Sequence, residues 1–439
     1  MIPSVSIDTT VPPSGPERPR LRPLEAFPVL DGPEPLLALR DPSRIAQPVS
    51  LPPGTVAVVQ LFDGDSTRDE ICALYEQRYD KPLPRARLDA LVAKLDEALL
   101  LDSDHFRRHS AMVHASFRDS PIRDARLAGV SYTEDANQLA AFLEQCYAAP
   151  HGPGAPHGKT GALPKLIVTP HIDYSRGGAA YAWAFLPLAQ TPTAQLPELV
   201  VILGTDHVGA QQPFSLTRKH YATPLGPLTT DIALVDALVK RVGDSVSARA
   251  AQDLFADEHH HRTEHSIELA AVWLRYTLGD AAADVKVLPV LCGALEPLLE
   301  AGKDPAAEPL VAVFLSALEA LTQGRRVLFV AAADLAHVGP RFGDEQPLSA
   351  DDRASLERRD QETLRTLETG SASAWLEELW RDRNQRRVCG LAPVYHALLA
   401  TRPGRGTLAC YAQCPADENG GSDGRLGDGS IVSIASLCF

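Results

Sequence analysis

Apolar and polar positions divide the chain into two textures. In the first, Leu88, Leu91, Val92, Leu95 and Leu99 recur at i, i+3, i+4, i+7 and i+11, which predicts an amphipathic helix over Arg85 to Ala98. Upstream, Leu36 to Leu39 and Val56 to Leu61 read as short extended stretches. Asp63-Gly64-Asp65-Ser66 is a turn-forming run, and Thr67 with Glu70 three residues on is a capping box that opens another helix. Closed by the apolar run Leu99 to Leu101, these pieces predict a small α+β unit. Residues 1 to 24 are polar, Pro-rich and aperiodic, and predict a flexible lead-in.

The second texture starts near Pro121. Lys165 to Thr169, Leu199 to Leu203, Val285 to Leu291 and Val327 to Ala331 are continuous apolar runs, the pattern of strands buried on both faces. Helix candidates lie between and after them, at Asp231 to Val242, His265 to Leu278, Val311 to Leu321 and Arg353 to Leu367. The expected fold class is therefore α/β, a mostly parallel sheet with helices on both faces, behind the small α+β domain. Tyr147 to Leu163 contains Gly152-Pro153-Gly154-Ala155-Pro156 and reads as a surface loop, which makes His151 and His157 solvated.

Composition narrows the function. At 439 residues the chain exceeds the ~250 to 300 that one core supports, so two domains are expected. A 45% hydrophobic content excludes fibrous and disordered classes. The 42 basic residues against 56 acidic ones contain no Lys/Arg block, so no nucleic-acid partner is expected. The best apolar runs, Tyr181 to Ala189 and Val287 to Leu299, are too short or too broken for a membrane span. Pro3, Pro12, Pro13, Pro16 and Pro19 stand where a signal peptide would be apolar, and a cytoplasmic location follows as an expectation. The seven cysteines form no C-x-x-C pair, and all but Cys389 read as inert buried thiols.

The chemistry gathers where strands end. In open parallel sheets ligands bind beyond the carboxyl ends of the strands. Thr169-Pro170-His171-Ile172-Asp173-Tyr174, Gly204-Thr205-Asp206-His207 and Ala333-Asp334-Leu335-Ala336-His337 each follow a predicted strand, so three strands deliver a histidine with an acidic neighbour. That convergence predicts a metal or acid/base site. A lone histidine is more often a hydrogen-bonded structural residue, the reading for His105, His109, His114, His220 and His396. Cys389, in Arg386-Arg387-Val388-Cys389-Gly390 ahead of the amphipathic Leu391 to Leu399, would sit at a helix amino terminus beside two cations, both favouring thiolate. It is a soft ligand candidate. His261 to His265 spells H-x-x-E-H, a zinc-peptidase motif, but a helix starting at Thr263 leaves His261 off the necessary face. His265 and Glu268, at i and i+3, are better placed to line a pocket together.

Two resemblances follow from these residues. Leu61-Phe62-Asp63-Gly64-Asp65-Ser66-Thr67-Arg68-Asp69-Glu70-Ile71 resembles the "hydrophobic-DG-x-x-T-x-x-E-I" turn of PqqD-like winged-helix domains. This implies such a domain over residues 25–110, able to hold a peptide by strand addition. Residues 122–439 resemble the Memo family, also called AmmeMemoRadiSam system protein B. The shared motifs, in order, are Arg123 to Tyr132, Pro170 to Tyr174, Ile202 to His207, Tyr221 to Gly226, Glu264 to Glu268, Pro289 to Gly293, Asp334 to Gly339, Cys389-Gly390 and Tyr411 to Gln413. The resemblance implies a fold similar to class III extradiol dioxygenases and a redox metal, iron or copper rather than zinc. The implied ligands are His171, His207 and Cys389. Asp334 and His337 match the family's second pair of pocket residues and, with His265, are the expected proton shuttles. Asp173, Tyr174, Asp206 and Glu268 are expected around the pocket.

The implied reaction is oxygen-dependent oxidation or ring opening of a small molecule or peptide, with radical SAM or peptide-modifying enzymes as partners. A non-catalytic metal-binding or scaffold protein is the alternative, and a zinc hydrolase dependent on His261 the remoter one. The sequence departs from the family's usual motifs in three places. Ile172 and Asp173 replace two small residues, Val208 replaces a second histidine, and Cys414 replaces a serine. Asp173 is thereby a further candidate for the coordination shell.

Overall fold

A computed structural model describes residues 15–29, 36–159, 161–416 and 429–439. The chain forms two compact units, residues 1–120 and 121–439.

In the first unit, β1 (Glu25–Val29), β2 (Leu36–Arg40) and β3 (Val49–Leu51) form an antiparallel sheet in that order. Helices α1 (Pro53–Val59), α2 (Arg68–Tyr79), α3 (Arg85–Glu97) and α4 (Asp104–Asp119) follow. The Thr67/Glu70 capping box opens α2 as expected. The stripe Leu88, Leu91, Val92 and Leu95 carries α3 into a core with Leu51, Ile71, Leu100 and Leu101.

Two expectations fail here. Val56 to Leu61 is not extended, because Pro53 occupies the first turn of α1 with a fixed φ suited to starting a helix. Residues 15–24 are not a loose lead-in. The carbonyls of Glu17, Pro19 and Arg20 accept from Arg68, Gly64 and Asp102 backbone N–H, and the buried Arg22 guanidinium lies 3.0 Å from Asp41. A buried guanidinium must keep its carboxylate, and this pins the strap. The rest of the predicted lead-in, residues 1–14, lies outside the described residues.

The second unit runs β4 (Ile122–Arg123), α5 (Ala136–Ala148), β5 (Leu166–Thr169), α6 (Tyr174–Ala189), β6 (Leu199–Thr205), β7 (Phe214–Leu216), β8 (His220–Tyr221) and β9 (Thr229–Thr230). It continues with α7 (Ile232–Ser245), α8 (Ala248–Asp253), α9 (His265–Leu278), β10 (Lys286–Cys292), α10 (Glu296–Glu300), α11 (Pro309–Thr322) and β11 (Val327–Ala332). Last come β12 (His337–Val338), α12 (Ala350–Leu367), α13 (Ala372–Trp380), α14 (Leu391–Thr401), β13 (Thr407–Pro415) and β14 (Ile431–Cys438). The main sheet has the order β12-β14-β5-β11-β6-β10-β7, and the central four, β5-β11-β6-β10, are parallel.

Both faces of this sheet are covered, which is why its strands read as continuous apolar runs. Leu199, Val201 and Leu203 of β6 join a core with residues of α7, α11 and α14, while Val200 and Ile202 join one with residues of α6 and α9. In the second core the Trp273 ring stacks on Tyr181 and Phe185, at 5.8 and 6.1 Å between centroids.

Two features set the position of α9. At the end of β6, a Cβ on Gly204 would lie 2.5 Å from Ser266 Oγ and 2.6 Å from Ile267 Cγ1, so only glycine lets the start of α9 approach the strand this closely. On the other side, the buried Arg123 guanidinium pairs with Glu268 of α9 and donates to the His261 and Glu264 carbonyls at 2.8 and 2.9 Å. Glu268 also accepts from Leu127 N and Tyr132 OH. The opening motif of this unit is thus tied to the turn that precedes α9.

His396 on α14 is fully buried, its ring 4.6 Å from that of Phe214. It was expected to be hydrogen-bonded, yet neither ring nitrogen has a partner among the described residues.

Two predictions follow from this packing. Gly204→Ala should lower stability by about 1–3 kcal/mol through overpacking, read from the urea midpoint. Burial pushes the His396 imidazole down to about 3. The unfolded chain takes up this proton below about pH 6.5 while the native state refuses it, so stability is lost as pH falls through that window toward 3. His396→Phe should reduce the pH dependence of stability between pH 4 and 6 by about 1.4 kcal/mol per unit; an unchanged slope would show that the ring is not the source.

Candidate metal centre

Strands β5, β11 and β6 are adjacent and parallel, so their carboxyl ends meet on one edge. Past β5 comes His171, past β6 His207, and past β11 Asp334 and His337. Asp334 Oδ1 accepts from His171 backbone N at 2.8 Å, holding the two strand ends together. His265, the first residue of α9, completes a group with His171 and His207 in which each offers one ligand atom within 4.8 Å of the others. The three ring centroids are 4.7 to 5.3 Å apart.

What makes these rings donors is the partner on the other nitrogen. His171 Nδ1 is 3.0 Å from Ala332 O, and His207 Nδ1 and His265 Nδ1 are each 3.0 Å from Glu264 Oε1. A carbonyl or carboxylate oxygen can only accept, so each Nδ1 carries a hydrogen and Nε2 is the atom each ring can turn to a metal. His337 is held likewise, its Nδ1 3.1 Å from the carbonyls of Leu335 and Arg387. Glu264 caps α9 as well, accepting from the backbone N–H of His265 and Ser266.

Cys389 brings the soft donor. Its Sγ lies 3.2 Å from His171 Nε2. The glycine after it has a steric reason, since a Cβ on Gly390 would lie 2.6 Å from Ala333 Cβ and 2.8 Å from Asp334 O. Burial works against charge on His171, but Cys389 and Asp334 override it and raise the imidazolium up to about 9. Burial equally opposes a thiolate at Cys389, yet His171 and His337 bring the thiol well below its ordinary range. The site therefore holds negative donors compensated by protons, which a cation can displace. Imidazole and thiolate donors suit iron, copper or zinc rather than magnesium or calcium. His207 and His265 each leave 33% of the side chain exposed, so the group opens to solvent on their side.

The fold thus brings His171, His207, Cys389, Asp334 and His337 to one edge. His265, expected as a separate proton shuttle, stands instead beside His171 and His207 with a nitrogen free to coordinate. Four expected pocket residues face elsewhere. Asp173 pairs with Arg176 at 2.8 Å, and Tyr174 is buried with its hydroxyl donating to Leu269 O. Asp206 turns to His260 Nδ1 at 2.8 Å and to the Val208 and Gly209 N–H groups. Glu268 is committed to Arg123.

His261 spends both nitrogens, on Tyr221 OH at 2.7 Å and Ser215 O at 3.0 Å, inside a 3-10 turn at Glu258–Arg262. The H-x-x-E-H helix does not exist, and with it goes the zinc-peptidase reading. Cys414 contacts Arg176 O at 3.5 Å. The residue that sequence reasoning missed is Glu264, which the motif Glu264 to Glu268 and the H-x-x-E-H run both contained without pointing to this role.

Metal analysis of anaerobically purified protein should find about one transition-metal ion per chain, lost in His171→Ala and Cys389→Ala; unchanged content in both would remove these ligands. Because His171 must shed a proton held up to about pH 9, apparent metal affinity should weaken as pH falls below that value, measured by chelator competition.

A family model for Memo-like protein matches residues 123–431. A MEMO1 family protein of Thermus thermophilus is 29% identical over 346 residues, covering 79% of this chain and 93% of its own. One of Aquifex aeolicus is 25% identical over 352 residues, covering 80% and 83%. One of Methanobrevibacter smithii is 27% identical over 324 residues, covering 72% of this chain and 99% of its own. With the parallel sheet and the histidines gathered at its edge already in place, the match over residues 123–431 shows that this chain belongs to the Memo-like family.

Proposed function

We propose that this chain is an oxygen-dependent oxidoreductase that uses one iron or copper ion held by His171, His207 and Cys389, with His265 as a further donor. The observation that carries this reading is the Cys389 sulfur, held toward thiolate and 3.2 Å from His171 Nε2, among imidazoles whose Nδ1 atoms are already committed to acceptors. Thiolate is a strong donor to redox-active metals. When bound, the ion would supply one-electron redox chemistry and a Lewis-acidic open position.

The chain's own residues do the rest. Asp334 fixes the His171 backbone, and His337, tied through Nδ1 to two carbonyls, keeps Nε2 available to accept or return a substrate proton. A hydrolytic reading lacks support, because it needs a carboxylate free to take a proton from water. Glu264 is spent on two imidazoles and Asp334 on His171. Val208, 41% exposed beside His207, puts an apolar contact at the rim. The proposed substrate is a small organic molecule or a peptide, the latter presented by the first unit through a free sheet edge.

Oxygen uptake by the metal-loaded protein with a reductant tests this. Wild type should consume oxygen above the rate of free metal, and His337→Ala should slow it by about 10²–10⁴-fold with metal content unchanged. Retained metal without any oxygen consumption, over a panel of catechols and peptides, would favour a metal-binding scaffold.

A further inference from the structure

We infer that Glu264, though no ligand itself, is the positioning residue that orients His207 and His265 and strengthens them as donors. The inference rests on the reading of this edge as a metal site.

The geometry is specific. Glu264 is 2% exposed, and its Oε1 alone faces His207 Nδ1 and His265 Nδ1, each at 3.0 Å. Oε2 accepts from His207 backbone N at 2.9 Å. One oxygen thus turns two rings so that both present Nε2 in the same direction, and their planes lie only 23° apart at 4.7 Å between centroids. A carboxylate behind an imidazole also raises its electron density and hence its strength as a ligand.

The carboxylate faces the two imidazoles rather than a guanidinium. Arg123 reaches Glu264 only through its backbone carbonyl, at 2.9 Å, and spends its charge on Glu268. The side chains that face the Glu264 carboxylate include the imidazoles of His207 and His265, and a metal ion bound to both rings would place its charge on that side. Arg123, holding the carbonyls of both His261 and Glu264, keeps the turn in register so that the carboxylate points this way. A glutamine cannot replace it. Its single acceptor oxygen can face the two rings only if its NH₂ group meets the His207 N–H, a donor against a donor.

Cobalt(II) is a suitable probe, added without oxygen to the metal-free full-length chain and followed by its thiolate charge-transfer and d–d bands. Wild type should bind one equivalent. Glu264→Gln should bind 10- to 100-fold more weakly, with shifted d–d bands at saturation and an unchanged metal-free circular dichroism spectrum. Glu264→Asp, which keeps the charge but is one methylene short, should fall between, and it serves if the glutamine variant does not fold. Glu268→Gln, which damages the Arg123 pair that holds this turn, should lower stability and shift the saturated cobalt bands less than Glu264→Gln does.

Equal affinity and spectra in wild type and both Glu264 variants would overturn the role of Glu264 while leaving the metal site standing. A spectral shift in Glu268→Gln as large as in Glu264→Gln would reduce Glu264 to general structural support. If wild type bound no cobalt, the metal reading and this inference would fall together.

Discussion

A buried imidazole can offer a lone pair only if an acceptor holds the hydrogen on its other nitrogen. The edge of this sheet is organised around that requirement. Ala332 O, the Glu264 carboxylate and the carbonyls of Leu335 and Arg387 hold the Nδ1 atoms, and Nε2 is the atom each ring can turn to a metal, that of His171 lying against Cys389 Sγ. Where the requirement is not met, histidines of the same chain do no such work. His261 uses both nitrogens on Tyr221 and Ser215, and the fully buried His396 has no hydrogen-bond partner among the described residues.

The scaffold supplies those acceptors because its strands are parallel and adjacent. β11 lies between β5 and β6, so its last residue can offer a carbonyl to His171 while the loop after it places Asp334 on the His171 backbone. Gly204 and the Arg123–Glu268 pair then press the start of α9 against the end of β6. Gly390 does the equivalent for Cys389 at the start of α14. Small residues at the closest approaches and one buried ion pair bring donors from four separate parts of the chain to one place.

Much of this was legible in advance. The four central strands and helix α9 lie where the apolar runs and the 3.6-residue period placed them. The strand-end positions of His171, His207 and Asp334 follow from that pattern alone, and Cys389 stood out among the seven cysteines by its place beside two arginines at a helix start, a choice the Memo resemblance shared. The failures share a cause, which is direction. Asp206, Asp173 and Glu268 sit within three residues of a donor in sequence and point away from the site, toward His260, Arg176 and Arg123. Val56 to Leu61 was misjudged because a short apolar run carries no reliable period, and Pro53 decided it for helix.

The amino-acid sequence by itself determined the alternation of strands and helices, the burial of both sheet faces and the strand ends at which chemistry would gather, because these depend on local periodicity and hydrophobic burial. Tertiary structure alone decided which nitrogen of each donor histidine is tied to an acceptor, that His265 stands among the donors, and that Glu264 serves two of them. Those outcomes turn on hydrogen bonds between residues up to 161 positions apart, such as His171 to Ala332, whose pairing no local pattern encodes.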